Sequence, residues 1–366
     1  MLITNLNLTN YRSYSSLDLP LTSGISIFVG KNGEGKTNIA ESILYLTFLS
    51  SHRASGNTPL IKLGNQSAYI RAKVQYPERE ILVELEINNE KANRAKVNQN
   101  QVRSQKGIFG IVQTIYFSPE DLDIVRGDPS ERRRFIDQLL TLRSPRVAGV
   151  ITDYERAVKQ RNSLLKTRAS NDALIPWDKQ VAQFGGELIA LRMAALVELK
   201  PIFNNIYKEI SDTKPAEIIY KSSIENPSIN PSINPNENSE KIMEKLTLNR
   251  GAEIERGLTL TGPHRDDLIL ALGDHLVKGY ASHGESWSIA LSLKLATYNL
   301  LKSDGLSPIL ILDDVFSELD EDRREKLAQI AQSAEQTLIT VAVENDLPKS
   351  IKGARYLVKS GVVSKL

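Results

Sequence analysis

The apolar positions of this chain change their period twice. Up to about residue 125 they fall in short alternating or continuous runs at 1–8, 25–29, 68–74, 81–87, 96–98 and 114–117. Asn, Gly, Pro and Gln punctuate these runs, which predicts strands joined by turns. The period then becomes helical. Asp128-Pro129-Ser130-Glu131 is a helix start, with an acid at the cap, proline at the first position and an acid in the first turn. Phe135, Ile136, Leu139 and Leu140 follow at helical spacing, and longer helical patterns cover 145–168 and 177–210. In the last of these, Val181, Phe184, Leu188, Leu191, Ala195 and Leu199 share one face. Strand texture returns near Leu258, with an apolar run at 307–312 of the buried parallel type and another at 338–343. Between and after them, 287–301 and the charged stretch 321–335 read as helices.

The predicted class is therefore α/β, with a helical lobe inserted into a discontinuous one. Residues 1–125 plus 250–366 form the discontinuous lobe, and 126–249 the helical insertion. A length of 366 residues suits two lobes better than one core. Residues 222–239 are low in complexity, with Pro-Ser-Ile-Asn occurring twice, and are expected to form a flexible surface insertion.

Chemistry enters at Gly30-Lys31-Asn32-Gly33-Glu34-Gly35-Lys36-Thr37. This glycine-rich loop follows the strand at 25–29 and precedes a helical pattern at 38–49, which is the context a phosphate-binding P-loop needs. The glycines let the backbone wrap an anion, and the loop amides and helix N-terminus point at it. Lys36 is the expected phosphate cation, Asn38 follows the loop, and Thr37 is an expected magnesium ligand. The strand at 309–312 ends in Asp313-Asp314. Beside the P-loop strand, Asp313 would hold magnesium directly or through water, and Asp314 would orient or deprotonate a water. Ser282-His283-Gly284-Glu285-Ser286 precedes the helix at 287–301, and a Ser and Gly there make an anion-binding helix start. By itself that segment is only a cap. The loop Ser317-Glu318-Leu319-Asp320 likewise caps the helix that follows it.

Composition narrows the setting. Hydrophobic and charged fractions of 41% and 25% are ordinary for a globular chain. With no cysteine, disulfides and Cys-based zinc sites are excluded, which fits a reducing cytoplasm. The four histidines show no paired spacing for a transition metal. No apolar run approaches the ~20 residues of a membrane span, and the N-terminus reads as a strand rather than a signal. A net charge of +2 does not announce nucleic-acid binding, so any basic patch must be local. Arg12 and Arg53 flank the P-loop in sequence and are candidates for phosphate or DNA contact, or simply solvated arginines. Arg132, Arg133 and Arg134 cannot all share one helix face, and interlobe salt bridges are favoured for them over DNA. For His264 and Arg265, structural and DNA roles are both open.

P-loop, Ser-x-Gly helix start, Asp-Asp strand end and Ser-Glu-Leu-Asp loop, in this order, resemble an ABC-type ATPase head. Further segments make the likeness narrower: Leu8-Thr9-Asn10-Tyr11-Arg12, Phe117-Ser118-Pro119-Glu120-Asp121-Leu122, Pro129-Ser130-Glu131-Arg132-Arg133-Arg134-Phe135 and Thr261-Gly262-Pro263-His264-Arg265-Asp266-Asp267-Leu268. With Asp313-Asp314-Val315-Phe316-Ser317-Glu318-Leu319-Asp320, they resemble, over nearly the whole chain, the RecF family of bacterial recombination mediators, relatives of SMC heads.

The resemblance implies ATP and magnesium as cofactors, and an ATP-dependent homodimer that sandwiches two nucleotides. It implies binding to double-stranded DNA near single-strand gaps, action with RecR and RecO in loading RecA, and slow hydrolysis that promotes dissociation. By position, Gly30 to Asn38 and Arg12 serve the nucleotide, Asp313 and Thr37 the metal, and Lys36 and Asp314 catalysis. Ser282 and Gly284 belong to the signature loop that touches the other subunit's ATP, and 317–320 crosses that interface.

Three positions depart from the family pattern. His283 and Glu285 replace the glutamines of a usual Ser-Gln-Gly-Gln, and a carboxylate near a γ-phosphate is unfavourable unless it turns away or pairs with a cation. Thr340 stands where transporter ATPases carry a switch histidine, and the 222–239 insertion is private to this chain. The alternative, an ATPase subunit of a membrane transporter, is opposed by the long separation between Lys36 and Ser282 and by the missing histidine. A head on a long coiled coil is opposed by the absence of sustained heptads.

Overall fold

Five parallel strands form the centre of the first unit of the computed structural model, which describes residues 1–54, 56–211, 214–226 and 229–366. Their order is Ala354–Lys359, Gly24–Val29, Gln336–Val341, Ile309–Asp313 and Thr114–Phe117, with Val362–Lys365 added antiparallel at one edge. Every residue of Ile309–Asp313 and Gln336–Val341 is buried, as expected of strands covered on both faces. Gln336 is tolerated there because its side chain pairs like a strand. It accepts from Ile3 N at 2.8 Å and donates to Ile3 O at 2.8 Å, just where the N-terminal strand shifts register between Ile3 and Asn5.

A second, antiparallel sheet runs Tyr14–Pro20, Leu2–Tyr11, Ser67–Gln75, Glu80–Asn88, Arg94–Val97 and Asn100–Gln101. Ser67–Gln75 alternates buried and more exposed positions, the mark of one covered face. The P-loop helix Lys36–Phe48 is buried at Lys36 and at every position from Ile39 to Thr47, and shares one hydrophobic core with both sheets. That all-round burial explains why its apolar residues do not form a single stripe.

The contacts divide the described chain into Met1–Asp121 with Leu301–Leu366, and Leu122–Leu300. Residues 250–300, assigned from sequence to the discontinuous lobe, therefore group with the helical segment. The reason is pairing: strand Asp267–Leu272 lies antiparallel to Ala216–Lys221, a strand the apolar pattern did not reveal. The long helices of this unit are Pro129–Arg143, Val147–Lys166, Asn171–Ile210 and His283–Ser303, which ends just past its boundary, with Pro235–Leu248 and Arg250–Arg256 between the last two.

The low-complexity stretch is also not one loose insertion. Pro227 and Ser228 lie outside the described residues, but the helix Pro235–Leu248 starts inside it, capped by Asn234, whose side chain accepts from Asn236 N at 3.0 Å. Asn238 is fully buried. Gly186 permits this packing, since a Cβ there would meet Pro235 O at 2.5 Å.

Buried charge organises the second unit. Arg161 is fully buried and donates to Asp178 at 2.7 Å, Glu253 at 2.6 Å and Thr259 at 2.9 Å. Arg192 grips Asp137 through two 2.8 Å bonds and also donates to Pro263 O. Arg132 holds Asp267 at 2.7 and 3.0 Å, Arg133 donates to Asp266 O at 2.8 Å, and Arg134 pairs with Glu131 at the surface. The arginine run thus makes salt bridges, but inside one unit rather than between lobes. Asp266 accepts from Tyr220 Oη at 2.6 Å and Ser223 N at 2.7 Å. Arg265 donates to Thr259 O. His264 bonds Tyr154 Oη at 2.6 Å through Nδ1 and Thr259 O at 3.1 Å through Nε2. Nearly every polar residue of 261–267 is a node in this network, which favours the structural reading of His264 and Arg265.

Burial lowers the His264 pKa from 6.5 to about 4, so the ring is neutral in the fold at neutral pH. The unfolded chain takes up this proton first as pH falls, so the contribution is full above about 6.5 and is lost between 6.5 and 4. Denaturant unfolding followed across that window should show stability dropping with pH, and His264→Gln should flatten the drop.

Candidate nucleotide-binding site

The glycine loop is shaped by its surroundings. Gly33 and Gly35 have φ of +87° and +111°, a region side chains rarely adopt. Gly30 is excluded from change by space: a Cβ there would lie 2.2 Å from Val358 O, on the neighbouring strand. Lys31, Asn32 and Gly33 are exposed, and a Cβ at Gly33 would meet nothing within 4 Å, so the loop presents an open cradle. Lys36 begins the helix and folds back over the loop, donating to Gly30 O at 2.6 Å and Lys31 O at 3.1 Å. Burial lowers its pKa, against the pull of Asp314, Asp313 and Glu34. Glu34 turns outward and accepts from Ser360 N. Asn38 donates to Ser13 Oγ at 3.0 Å.

Asp313 lies at the carboxyl end of its strand, two strands from the P-loop strand, with Asp313 opposite Thr340 in register. Its Oδ1 accepts from Thr37 Oγ1 at 3.2 Å and from Thr340 Oγ1. Its Oδ2 accepts from Tyr116 Oη at 2.7 Å. Burial pushes the carboxyl pKa up, and the three hydroxyl donors counter that. Asp314 follows in a left-handed conformation, φ 56°, half-buried, its amide donating to Thr340 Oγ1 and Thr340 O, both at 3.1 Å. Thr340 therefore ties the two acids together at the position where the sequence comparison placed a switch residue. Hydroxyl and carboxylate oxygens are hard donors, so Thr37 and Asp313 fit magnesium.

Arg12, expected near the nucleotide, is engaged with the P-loop helix. Its guanidinium is bidentate on Glu41, at 2.8 and 2.5 Å, and donates to Pro59 O at 2.9 Å. Glu41 is fully buried in the P-loop helix and also accepts from Ser51 Oγ at 2.5 Å. Burial alone would raise its pKa; the bonds from Arg12 and Ser51 outweigh that and hold it below the usual range. Arg12 thus anchors the P-loop helix. A lone acid in the apolar run at 39–46 was the sequence signal for this pair, and it was missed. Tyr116 was missed too, hidden in a strand that reads as core. Arg53 is exposed, with its guanidinium 3.5 Å from Asn38 Oδ1.

In the second unit, Ser282 precedes the helix His283–Ser303. Ser282 N donates to Glu285 Oε2 at 2.8 Å, and Glu285 N donates to Ser282 Oγ at 3.2 Å. This reciprocal pair is a capping box. Those bonds lower the Glu285 pKa and turn its carboxylate back onto the loop backbone. His283 accepts from Trp287 Nε1 at 3.2 Å. The replacements at 283 and 285 thus serve the helix start. Beyond Asp314, Ser317 Oγ donates to Asp314 O at 2.9 Å and Asp320 caps the helix Glu321–Ser333.

The parallel strand order, the glycine loop and the acid-ended strand define a P-loop ATPase head of the ABC type. A family model described as the RecF/RecN/SMC N terminal domain matches residues 2–359. The DNA replication and repair protein RecF of Streptomyces avermitilis is 46% identical over 377 residues, covering 100% of both chains. The chain belongs to the RecF family. A solved structure of the recombination mediator protein RecF with ATP, in the RecFOR pathway, is similar at TM-score 0.91 and 28% identity, covering 100% of this chain and 97% of that one. The Smc head bound to the C-winged helix domain of ScpA reaches TM-score 0.60 at 16% identity, covering 100% and 97%, a likeness of fold alone.

Glu41→Gln should destabilise the first unit by about 3–5 kcal/mol, because it leaves the Arg12 charge without its buried counter-ion. Urea unfolding of the variant checks this.

Proposed function

We propose that this chain is an ATP-dependent DNA-binding recombination mediator whose loop 30–37 binds magnesium–ATP. One observation carries the reading: Thr37 and Asp313, 276 positions apart, meet at 3.2 Å beside Lys36 at the mouth of the glycine loop. That is the constellation a nucleoside triphosphate and its cation need, and the RecF solved with ATP is similar over the full chain.

In this reading the loop amides from Gly30 to Thr37, with Asn38 beside them, cradle the phosphates. Lys36 Nζ, now held by loop carbonyls, supplies the positive charge. Thr37 and Asp313 hold magnesium, which would neutralise charge on the phosphates. Asp314, fixed by its left-handed backbone and by Thr340, orients or deprotonates the attacking water. Ser282 and Gly284 contribute to the site of a second copy, so ATP closes a homodimer. The dimer binds double-stranded DNA near single-strand gaps, acts with RecR and RecO to load RecA in the cytoplasm, and is released by weak, DNA-dependent hydrolysis. Phosphate contacts make the DNA affinity fall with salt. The transporter alternative is not favoured: the full-length relative is a DNA replication and repair protein.

Size-exclusion chromatography with ATP, ADP and no nucleotide tests the dimer. Wild type should dimerise only with ATP, Lys36→Ala should not bind nucleotide, and Ser282→Arg should bind ATP but stay monomeric. A wild type that remains monomeric at saturating magnesium–ATP overturns the sandwich. Asp314→Asn should lower hydrolysis by about 10²- to 10⁴-fold with ATP binding retained. Parallel loss of binding would remove its assigned role.

A further inference from the structure

Asp313 is held from a direction that the P-loop does not supply. Strand Thr114–Phe117 pairs parallel with Ile309–Asp313, Tyr116 opposite Ile311. Residues 311 and 313 face the same side of their strand, so this register brings the Tyr116 hydroxyl to the Asp313 carboxylate. The bond is 2.7 Å, from Tyr116 Oη to Asp313 Oδ2. Tyr116 Oη also lies 3.2 Å from His52 Nε2, and the two rings pack with centroids 4.8 Å apart. Because the tyrosine proton points at the carboxylate, the bond to His52 requires an Nε2–H donor. The direction is then His52 to Tyr116 to Asp313. His52 Nδ1 is buried with no hydrogen-bond partner among the described residues, so the ring's one bonded nitrogen is the one aimed at Tyr116.

We propose that Tyr116, backed by His52, is the positioning residue that fixes the metal-facing orientation of the Asp313 carboxylate. The torsion that spins a carboxylate about its last carbon–carbon bond is soft and broad. Thr37 and Thr340 both bond Oδ1. Tyr116 bonds Oδ2 from the other flanking strand, so the group is held at both oxygens and a turn in either direction breaks a bond. One oxygen is thereby presented at the Thr37 hydroxyl, the pair that would hold the cation. Tyr116 and His52 act on it through Asp313. Partners that orient a ligating group in this way typically contribute 10- to 100-fold to metal affinity.

The proposal rests on the magnesium–ATP reading, and the test separates the two. Mn²⁺ binding is measured by electron paramagnetic resonance on the full chain, with a non-hydrolysable ATP analogue present, and analogue binding is measured separately in EDTA. Tyr116→Phe keeps the ring and its packing on His52 and removes only the hydroxyl. It should weaken Mn²⁺ binding by about 10- to 100-fold while metal-free analogue binding stays as in wild type. His52→Ala leaves every Asp313 contact in place and should weaken Mn²⁺ several-fold; it decides the matter if Tyr116→Phe does not fold. Wild-type Mn²⁺ affinity in either folded variant overturns the proposal, as does an equal loss of metal-free analogue binding. Failure of the wild-type chain to bind the analogue at all would instead overturn the nucleotide reading.

Discussion

The buried carboxylate of Asp313 is the constraint on which the first unit's site depends. A charge there is costly unless it is hydrogen-bonded on all sides. Three hydroxyls meet that need, and each comes from a different element: Thr37 from the P-loop helix, Thr340 from one flanking strand and Tyr116 from the other. The strand order that sets Thr114–Phe117 and Gln336–Val341 on either side of Ile309–Asp313 is what makes this possible. The same strands bring the glycine loop and Asp314 within one small region. Fold and site are in this sense a single arrangement.

The P-loop helix adds a second buried charge to that region. Its all-round burial leaves Glu41 without water, and Arg12 reaches it from the turn after the first strand. Arg12 itself has φ 53°, so the turn is shaped to deliver the guanidinium. The segment around Leu8 to Arg12, conspicuous in sequence, therefore serves the phosphate loop through its helix. The second unit follows the same logic at larger scale. Arg161, Arg192 and Arg132 each hold buried or half-buried acids, and 259–267 links them. Paired buried charges add little net stability, but losing one partner is expensive. Such a network favours one packing over others, a suitable role for a segment, 261–268, that is among those narrowing the likeness to the family.

Much of this was legible beforehand, for identifiable reasons. Gly30 to Thr37 could be read because phosphate binding demands fixed residue types at fixed spacing between a strand and a helix. The strand at 309–312 could be read because burial on both faces leaves a continuous apolar run. The long helices were read from their period, and Asn171–Ile210 extends the predicted pattern by six residues at its start. Other features carried no such signature. Strand Ala216–Lys221 is short and mixed, and exists because Asp267–Leu272 pairs with it. The polar Asn/Pro stretch read as loose chain, yet Asn234 caps a helix within it that packs on Gly186. Glu285 read as a misplaced charge at a phosphate site, and is the second half of a capping box.

The sequence by itself displayed a glycine-rich loop between a strand and a helix, a hydroxyl after it, two acids at a strand end, and membership of a family. Those depend on residue types and local spacing, which one chain displays in full. Only the tertiary structure decided which partners each charge has. Arg12 belongs to Glu41, the arginine run to Asp266, Asp267 and Glu131, Thr340 to both acids, and Tyr116 to Asp313. Hydrogen bonds between groups as far apart as Tyr116 and Asp313, 197 positions in the chain, are set by strand order and register. Local sequence does not encode these, because many registers satisfy the same apolar pattern and only the folded sheet selects one.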